Sequence, residues 1–294
     1  MVSLDFGEFS TIDEGKLLEG VASRLVHILM AIGSMSSMAL SYIKSASFEF
    51  TFPHLRCMSV SALKNWDIAP IVHVMLSFKT SNLEHVTIDF DYKPKLTMLI
   101  TSVLLRKCQI WPLLRTLCLC RANFHAKMEC VLMTLTMVTH VILHYCGSLS
   151  IPLKSICGTI YDSDNVDVSL YNRLVVQSRA AAGRTEPDPQ KYGPYWPLLQ
   201  RLSISCMSAD EVEDLFDLVR QRISWGIHIS VDLSPEVADM FPKEKLEWLK
   251  QAVSVQIMSS REYIRSLWAF IDNDTLFCPA GTMLECNCLT QDGL

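Results

Sequence analysis

An α/β solenoid, a parallel sheet backed by helices, is the fold class this sequence predicts, and three observations predict it. A short segment recurs along the chain, each copy ends in strand-like alternation, and helical periodicity fills the intervals. The first two copies are Trp111-Pro112-Leu113-Leu114-Arg115-Thr116-Leu117-Cys118-Leu119 and Trp196-Pro197-Leu198-Leu199-Gln200-Arg201-Leu202-Ser203-Ile204. A third, Phe52-Pro53-His54-Leu55-Arg56-Cys57-Met58-Ser59-Val60, keeps the plan. Aligned on Leu-x-x-Leu-x-Leu, two more follow without proline, Leu83-Glu84-His85-Val86-Thr87-Ile88 and Val138-Thr139-His140-Val141-Ile142-Leu143. The first positions stand 28, 31, 24 and then 61 residues apart, and the long interval leaves room for one unrecognised unit.

Within each copy, apolar residues at every second position give a strand with one buried face. Proline removes a donor before the ladder begins and is expected to hold the approaching chain extended, with the neighbouring Trp or Phe as an apolar plug. Helical periodicity is read at 61–78, 95–107, 125–135, 168–182 and 209–222. The last of these, like 170–179, has an apolar stripe and a basic end, and Asp210 or Ser208 is its expected N-cap. Strand, helix, strand demands parallel pairing with the helices on one side. Two further strands are expected within 226–231 and 252–257.

The division that follows is a helical N-terminal cap over 1–45, a degenerate repeat array over 46–271 and a C-terminal tail over 272–294. The Pro- and Gly-rich stretch 183–195 is a rim loop. Terminal units of an array differ from the rest because one of their faces has no neighbour.

Bulk composition narrows the function classes. Of 294 residues, half are hydrophobic and 19% charged, so nearly every segment has a face to bury. A net charge of -5 and a pI near 5.9, with no long Lys/Arg run, argue against nucleic acid as a partner. The apolar stretch 17–43 is interrupted by Arg24, His27 and Gly33, which argues against a membrane span and for one or two amphipathic helices. Four acidic residues among the first 14 are the reverse of a secretory signal's positive start. An intracellular protein, cytoplasmic or nuclear, is therefore expected. Eleven cysteines, an odd number, lie largely in apolar segments, as with Cys118, Cys120 and Cys146, and read as small core hydrophobes.

The repeats resemble those of fungal F-box-like leucine-rich-repeat proteins, whose arrays run Phe/Trp-Pro-x-Leu-Arg-x-Leu-x-Leu before a helix. The resemblance is carried by Phe52-Pro53, Trp111-Pro112 and Trp196-Pro197 with their strands, and covers roughly 50–257. It implies a leucine-rich-repeat-like solenoid with a parallel concave sheet backed by helices. It also implies a protein partner, either a Skp-type adaptor of a cullin-based ubiquitin ligase or a ubiquitination substrate. The Leu-Pro opening of an F-box has no counterpart in 1–50. The Asn or Cys that follows each strand in such repeats is present as Cys146, with Asp91 and Ala122 at the equivalent places.

In this register the residues between the apolar positions share the concave face. One row is His85, Thr116 and His140, another Asp89, Cys120 and His144; Arg201, His228 and Asp232 extend the surface. Those eight residues, His85, Asp89, Thr116, Cys120, His140, His144, Arg201 and His228, are the expected partner-binding face. A rival reading makes Asp89, Cys120 and His144 a zinc or thiol-enzyme site, since zinc accepts these ligand types. A cysteine nucleophile needs a His base held by a third group, and a Cys between Asp and His is the wrong order. Cys278, Cys286 and Cys288 match no familiar zinc spacing. With no Gly-rich phosphate loop, His-Glu-x-x-His helix or Gly-x-Ser-x-Gly elbow, the sequence reads as a non-catalytic interaction module without metal or cofactor.

Overall fold

The computed structural model describes residues 2–9, 22–35, 50–62, 78–90, 111–124, 137–157, 196, 198–259 and 262. In chain order the strands are β1 (Val2–Phe9), β2 (His27–Met35), β3 (Phe50–Thr51), β4 (Cys57–Ala62), β5 (Phe78–Lys79), β6 (His85–Asp89), β7 (Thr116–Cys120), β8 (His140–His144), β9 (Arg201–Ile204), β10 (Ser230–Leu233) and β11 (Ser254–Ile257). Helix α1 (Ser150–Cys157) follows β8, α2 (Glu211–Ser224) follows β9, and α3 (Pro235–Met240) and α4 (Lys243–Ala252) lie between β10 and β11. Nine strands form one parallel sheet in the order β1-β2-β4-β6-β7-β8-β9-β10-β11, and β3 pairs with β5 in a separate small one.

The chain reaches each strand of this sheet in the same way. Val26 O accepts from both Arg56 N and Cys57 N, at 2.8 and 3.2 Å. Arg56 O then takes Glu84 N and His85 N, Glu84 O takes Arg115 N and Thr116 N, Arg115 O takes Thr139 N and His140 N, and Thr139 O takes Gln200 N and Arg201 N. At β10 the pattern changes: Gln200 O accepts Ser230 N at 2.8 Å, and the Ser230 hydroxyl supplies the second donor. Each carbonyl just ahead of a strand thus fixes the start of the next, so the register cannot slip without orphaning two donors.

Behind that ladder lies the core. Leu55, Leu83, Leu114, Val138 and Leu199, the first positions of the five units, are all buried. So are Met58 and Val60, Val86 and Ile88, Leu117 and Leu119, Val141 and Leu143, and Leu202 and Ile204. They share one cluster with Leu153 and Ile156 of α1, Leu215, Leu218 and Val219 of α2, Val237 of α3 and Leu249 of α4. The four described helices therefore pack on the same side of the sheet. Phe52, Trp111 and Trp196 are fully buried in this core, the plugs that the sequence implies.

Four expectations are corrected. Residues 1–45 are mostly strand where described, with Ala22 alone helical: β1 and β2 occupy 2–9 and 27–35, paired in parallel from Val2↔Ile28 to Phe9↔Met35. Leu25-Val26-His27-Ile28-Leu29-Met30 is a sixth copy of the repeat pattern, hidden because Met- and Ala-rich composition reads as helix while pairing with β4 decides the outcome. No strand stands between β8 and β9, which pair directly, so the 61-residue interval adds no unit to the sheet there. The aromatic-proline step is a turn and not extended chain. Leu55 N, Leu114 N and Leu199 N donate to Phe52 O, Trp111 O and Trp196 O, and Pro53 and Pro112 occupy the second turn position that proline's fixed φ suits. Finally, Asp210 makes no side-chain cap on α2. The buried Glu211 carboxylate, at the start of α2, instead ties the helix to what precedes it, accepting from Ser208 N at 2.7 Å and from Leu149 N of the preceding unit.

Helix 209–222 is thus found as α2, and strands appear at 230–233 and 254–257 near the two expected places. The helices read at 95–107, 125–135 and 168–182, the loop 183–195 and the tail 272–294 lie outside the described residues. Of 61–78, Ser61 and Ala62 belong to β4 and Phe78 to β5. Leu202→Ala, in the middle of the core, is expected to lower unfolding free energy by about 2–5 kcal/mol in a denaturant titration.

Candidate functional site

Parallel pairing sets the residues of the other face, the polar face, into rows. The first row runs His27, Cys57, His85, Thr116, His140, Arg201, Ser230 and Ser254. Asp89, Cys120 and His144 are direct partners across β6, β7 and β8, in the register the sequence implies. His228 is outside the row: it lies exposed ahead of β10, where Ser230 holds the expected place. The unit before β10 ends at Gly226, with φ of +69°, and Ile229 supplies its buried residue two positions before Val231 instead of three, which displaces His228.

This face is not uniformly open. Thr116, Cys118, Cys120, Ile142 and His144 are buried, Ile142 completely, and His85, Asp89, His140 and Arg201 are partly covered. Cys118 Sγ and Cys120 Sγ are 3.5 Å apart on one strand, and burial pushes the Cys118 thiol well above its ordinary range. Protonated and enclosed, it is a poor nucleophile.

Asp89 is held by Arg121, the residue after β7, through Nε to Oδ1 at 2.8 Å and Nη2 to Oδ2 at 2.5 Å. Arg121 sits in the left-handed region with φ of 51°, as does Tyr145 at the same place after β8. The Arg121 fork therefore occupies the carboxylate that a metal would need. Among the described residues, no three His, Cys, Asp or Glu side chains are grouped to hold a metal ion. Cys146, two residues past β8, donates its thiol to Leu119 O at 3.1 Å and so links neighbouring units; Ala122, its counterpart, has no donor to do the same.

A second network, which sequence reasoning found only in part, joins four strands. Arg201 Nε donates to Asp232 Oδ2 at 2.6 Å and its Nη2 to Oδ1 at 3.2 Å, with Gln256 Oε1 at 3.5 Å. Ser203 Oγ donates to Asp232 Oδ2 at 2.5 Å, and His140 Nε2 lies 2.9 Å from Ser203 Oγ. Because the hydroxyl's one proton goes to the carboxylate, His140 must be the donor in the last bond, which assigns its Nε2–H tautomer. Activating a serine needs the opposite, an imidazole that takes the hydroxyl proton. The network therefore satisfies a buried carboxylate and does not prepare a nucleophile. Ser203 was legible only as a polar residue between Leu202 and Ile204; its partner Asp232 is 31 residues from Arg201 and meets it by register alone.

Three histidines on this face share one electrostatic state. Burial pushes His85, His140 and His144 down to about 4; Arg201 adds to the effect at His140 and Arg121 at His144, while Glu84 opposes it at His85. All three are neutral near pH 7. The face thus presents imidazole hydrogen-bonding groups without positive charge.

Comparison with family models, with curated proteins and with solved structures finds no match. Among the described residues, no helix is long and apolar enough to cross a membrane.

Two outcomes are expected. Asp232→Ala should destabilise the chain by about 1–3 kcal/mol, since it leaves buried Ser203 without its acceptor, and Arg201→Ala should cost at least as much in the same titration, since it leaves the Asp232 carboxylate, only 3% exposed, without its cation. Folded-state values near 4 lie below the ordinary 6.5, so the histidines favour the folded state above pH 6.5 and lose that contribution as pH falls from 6.5 toward 4. The thermal midpoint should therefore drop over that window, and His144→Gln should flatten the drop.

Proposed function

We propose that the chain is a leucine-rich-repeat-type solenoid that serves as a non-catalytic protein-interaction module. The observation that carries this reading is the repetition, in consecutive units, of one approach carbonyl taking the next unit's two N–H groups ahead of a short parallel strand. An array of this kind grows a long surface by adding units, each in contact with its neighbours, which is how repeat proteins make extended binding faces. The aromatic-proline turns at Phe52, Trp111 and Trp196 support the likeness to fungal F-box-like repeat proteins. On that likeness, the partner class is a ubiquitination substrate, or the Skp-type adaptor of a cullin-based ligase.

The chemistry of the polar face favours binding over catalysis. Asp89 and Asp232 are each committed to an arginine, and Ser203 is committed to Asp232. Recognition then falls to the accessible part of that face, including Arg201, to exposed His228 ahead of β10, and to the rims of the sheet. The rival enzyme built on Asp89, Cys120 and His144 requires Asp89 to leave Arg121.

The test is a calorimetric titration of the purified chain with a Skp-type adaptor, with elemental analysis of the same preparation. Saturable binding without stoichiometric metal is the expected result. Failure to bind the adaptor would remove the ubiquitin-ligase assignment. One zinc per chain, lost on Cys120→Ser, would overturn the non-catalytic reading itself.

A further inference from the structure

Parallel strands all begin at one end of the sheet, so the residues just ahead of them line a single rim. The position immediately before the first buried residue of each unit is Arg24, His54, Asn82, Leu113, Met137 and Leu198, in the order of β2, β4, β6, β7, β8 and β9. All six are exposed, and the character of the row changes between β6 and β7 from polar to apolar. Leu113, Met137 and Leu198 are 43%, 51% and 43% exposed, on three adjacent strands. Three large apolar side chains at one offset in successive units are a ridge, which scattered surface hydrophobes are not.

The ridge continues onto the helix layer. Arg222 Nη1 of α2 donates to Trp196 O at 3.0 Å, which brings the last turn of α2 to this same end of the sheet. That turn carries exposed Ile223 and Trp225. Five of the eight large exposed hydrophobics among the described residues therefore belong to one end of the sheet between β7 and α2.

Charge at the rim is the opposite of the chain's acidic average. Arg56 is bonded to Glu84 through two hydrogen bonds, at 3.0 and 2.8 Å. Arg115 and Arg24, both exposed, make no ion pair among the described residues. Arg115, two residues beyond Leu113, is close enough to lower the Glu84 carboxylate, but both oxygens of that carboxylate are bonded to Arg56, so the three side chains leave one net positive charge beside the ridge. Neighbouring strands are about 4.8 Å apart, close to the roughly 5.4 Å rise of one helical turn. A helix lying across β7, β8 and β9 would set one apolar residue of its i, i+3/i+4, i+7 stripe against each of the three strands.

We propose that this rim docks an acidic amphipathic helix of a partner protein, with its apolar stripe on Leu113, Met137 and Leu198 and a carboxylate against Arg115. The proposal goes beyond the polar face and is independent of the ubiquitin-ligase assignment, since it rests on exposure, register and charge at the rim.

The probe is a fluorescein-labelled peptide of about 16 residues, built of Ala and Leu with leucines at helical spacing and glutamates along one flank, read by polarisation against the full chain. Saturable binding is expected for this peptide and not for a scrambled peptide of the same composition. Met137→Glu and Leu198→Glu should each weaken binding by about tenfold or more while circular dichroism and thermal midpoint stay unchanged. Arg115→Glu should weaken the glutamate peptide and strengthen one with lysines on that flank. Overturning results are no saturable binding, binding that Met137→Glu leaves intact, or no change in charge preference on Arg115→Glu. Sedimentation showing a dimer that Met137→Glu dissociates, or release by Met137→Glu of the chain from phosphatidylcholine vesicles, would equally overturn it by giving the ridge another occupant.

Discussion

One carbonyl accepting two amides holds this molecule in register. At Val26, Arg56, Glu84, Arg115 and Thr139 the same oxygen takes the first two N–H groups of the following unit, and the strands then pair residue against residue. A parallel ladder by itself tolerates alternative offsets, but an offset of one here would move each buried Leu, Ile or Val to the polar face. Backbone bonding and apolar burial therefore select the same arrangement. The rows of the polar face, and the ridge at the rim, follow from that shared register.

The polar face shows what happens when such a sheet buries polar groups. Asp89 and Asp232 each meet an arginine fork, one supplied by the turn after a strand and one by the neighbouring strand. Their partners differ in exposure, so the two pairs differ in worth: the Asp232 carboxylate, only 3% exposed, also takes the Ser203 hydroxyl, while Asp89 and Arg121 are both reachable by water. The histidines are kept uncharged by burial, so they add hydrogen-bonding capacity without repelling the arginines beside them.

The parallel α/β architecture was readable because its units repeat: Leu55, Leu83, Leu114, Val138 and Leu199 mark the same buried position, and the His85/Thr116/His140 and Asp89/Cys120/His144 rows follow once those are aligned. What escaped is what one sequence window does not contain. The unit at Leu25 was masked by helix-favouring Met and Ala around it. His228 was placed by reading a strand within 226–231, whereas β10 begins only at Ser230. The Arg121–Asp89 and Ser203–Asp232 contacts span 32 and 29 residues and depend on register plus side-chain reach. Glu211 carries no sequence signal beyond being acidic in a first helical turn, yet its carboxylate links α2 to the unit before it.

The direct pairing of β8 with β9 has a consequence for how this chain tolerates change in length. His140 and Arg201 are neighbours across the sheet although far more residues separate them than separate Thr116 from His140. The entropic cost of closing a segment grows only as the logarithm of its length, about 0.6 kcal/mol for each doubling. A long connection is thus no obstacle to direct pairing of the strands it joins, because the Thr139 carbonyl and the buried residues at either end set the register whatever the length between them.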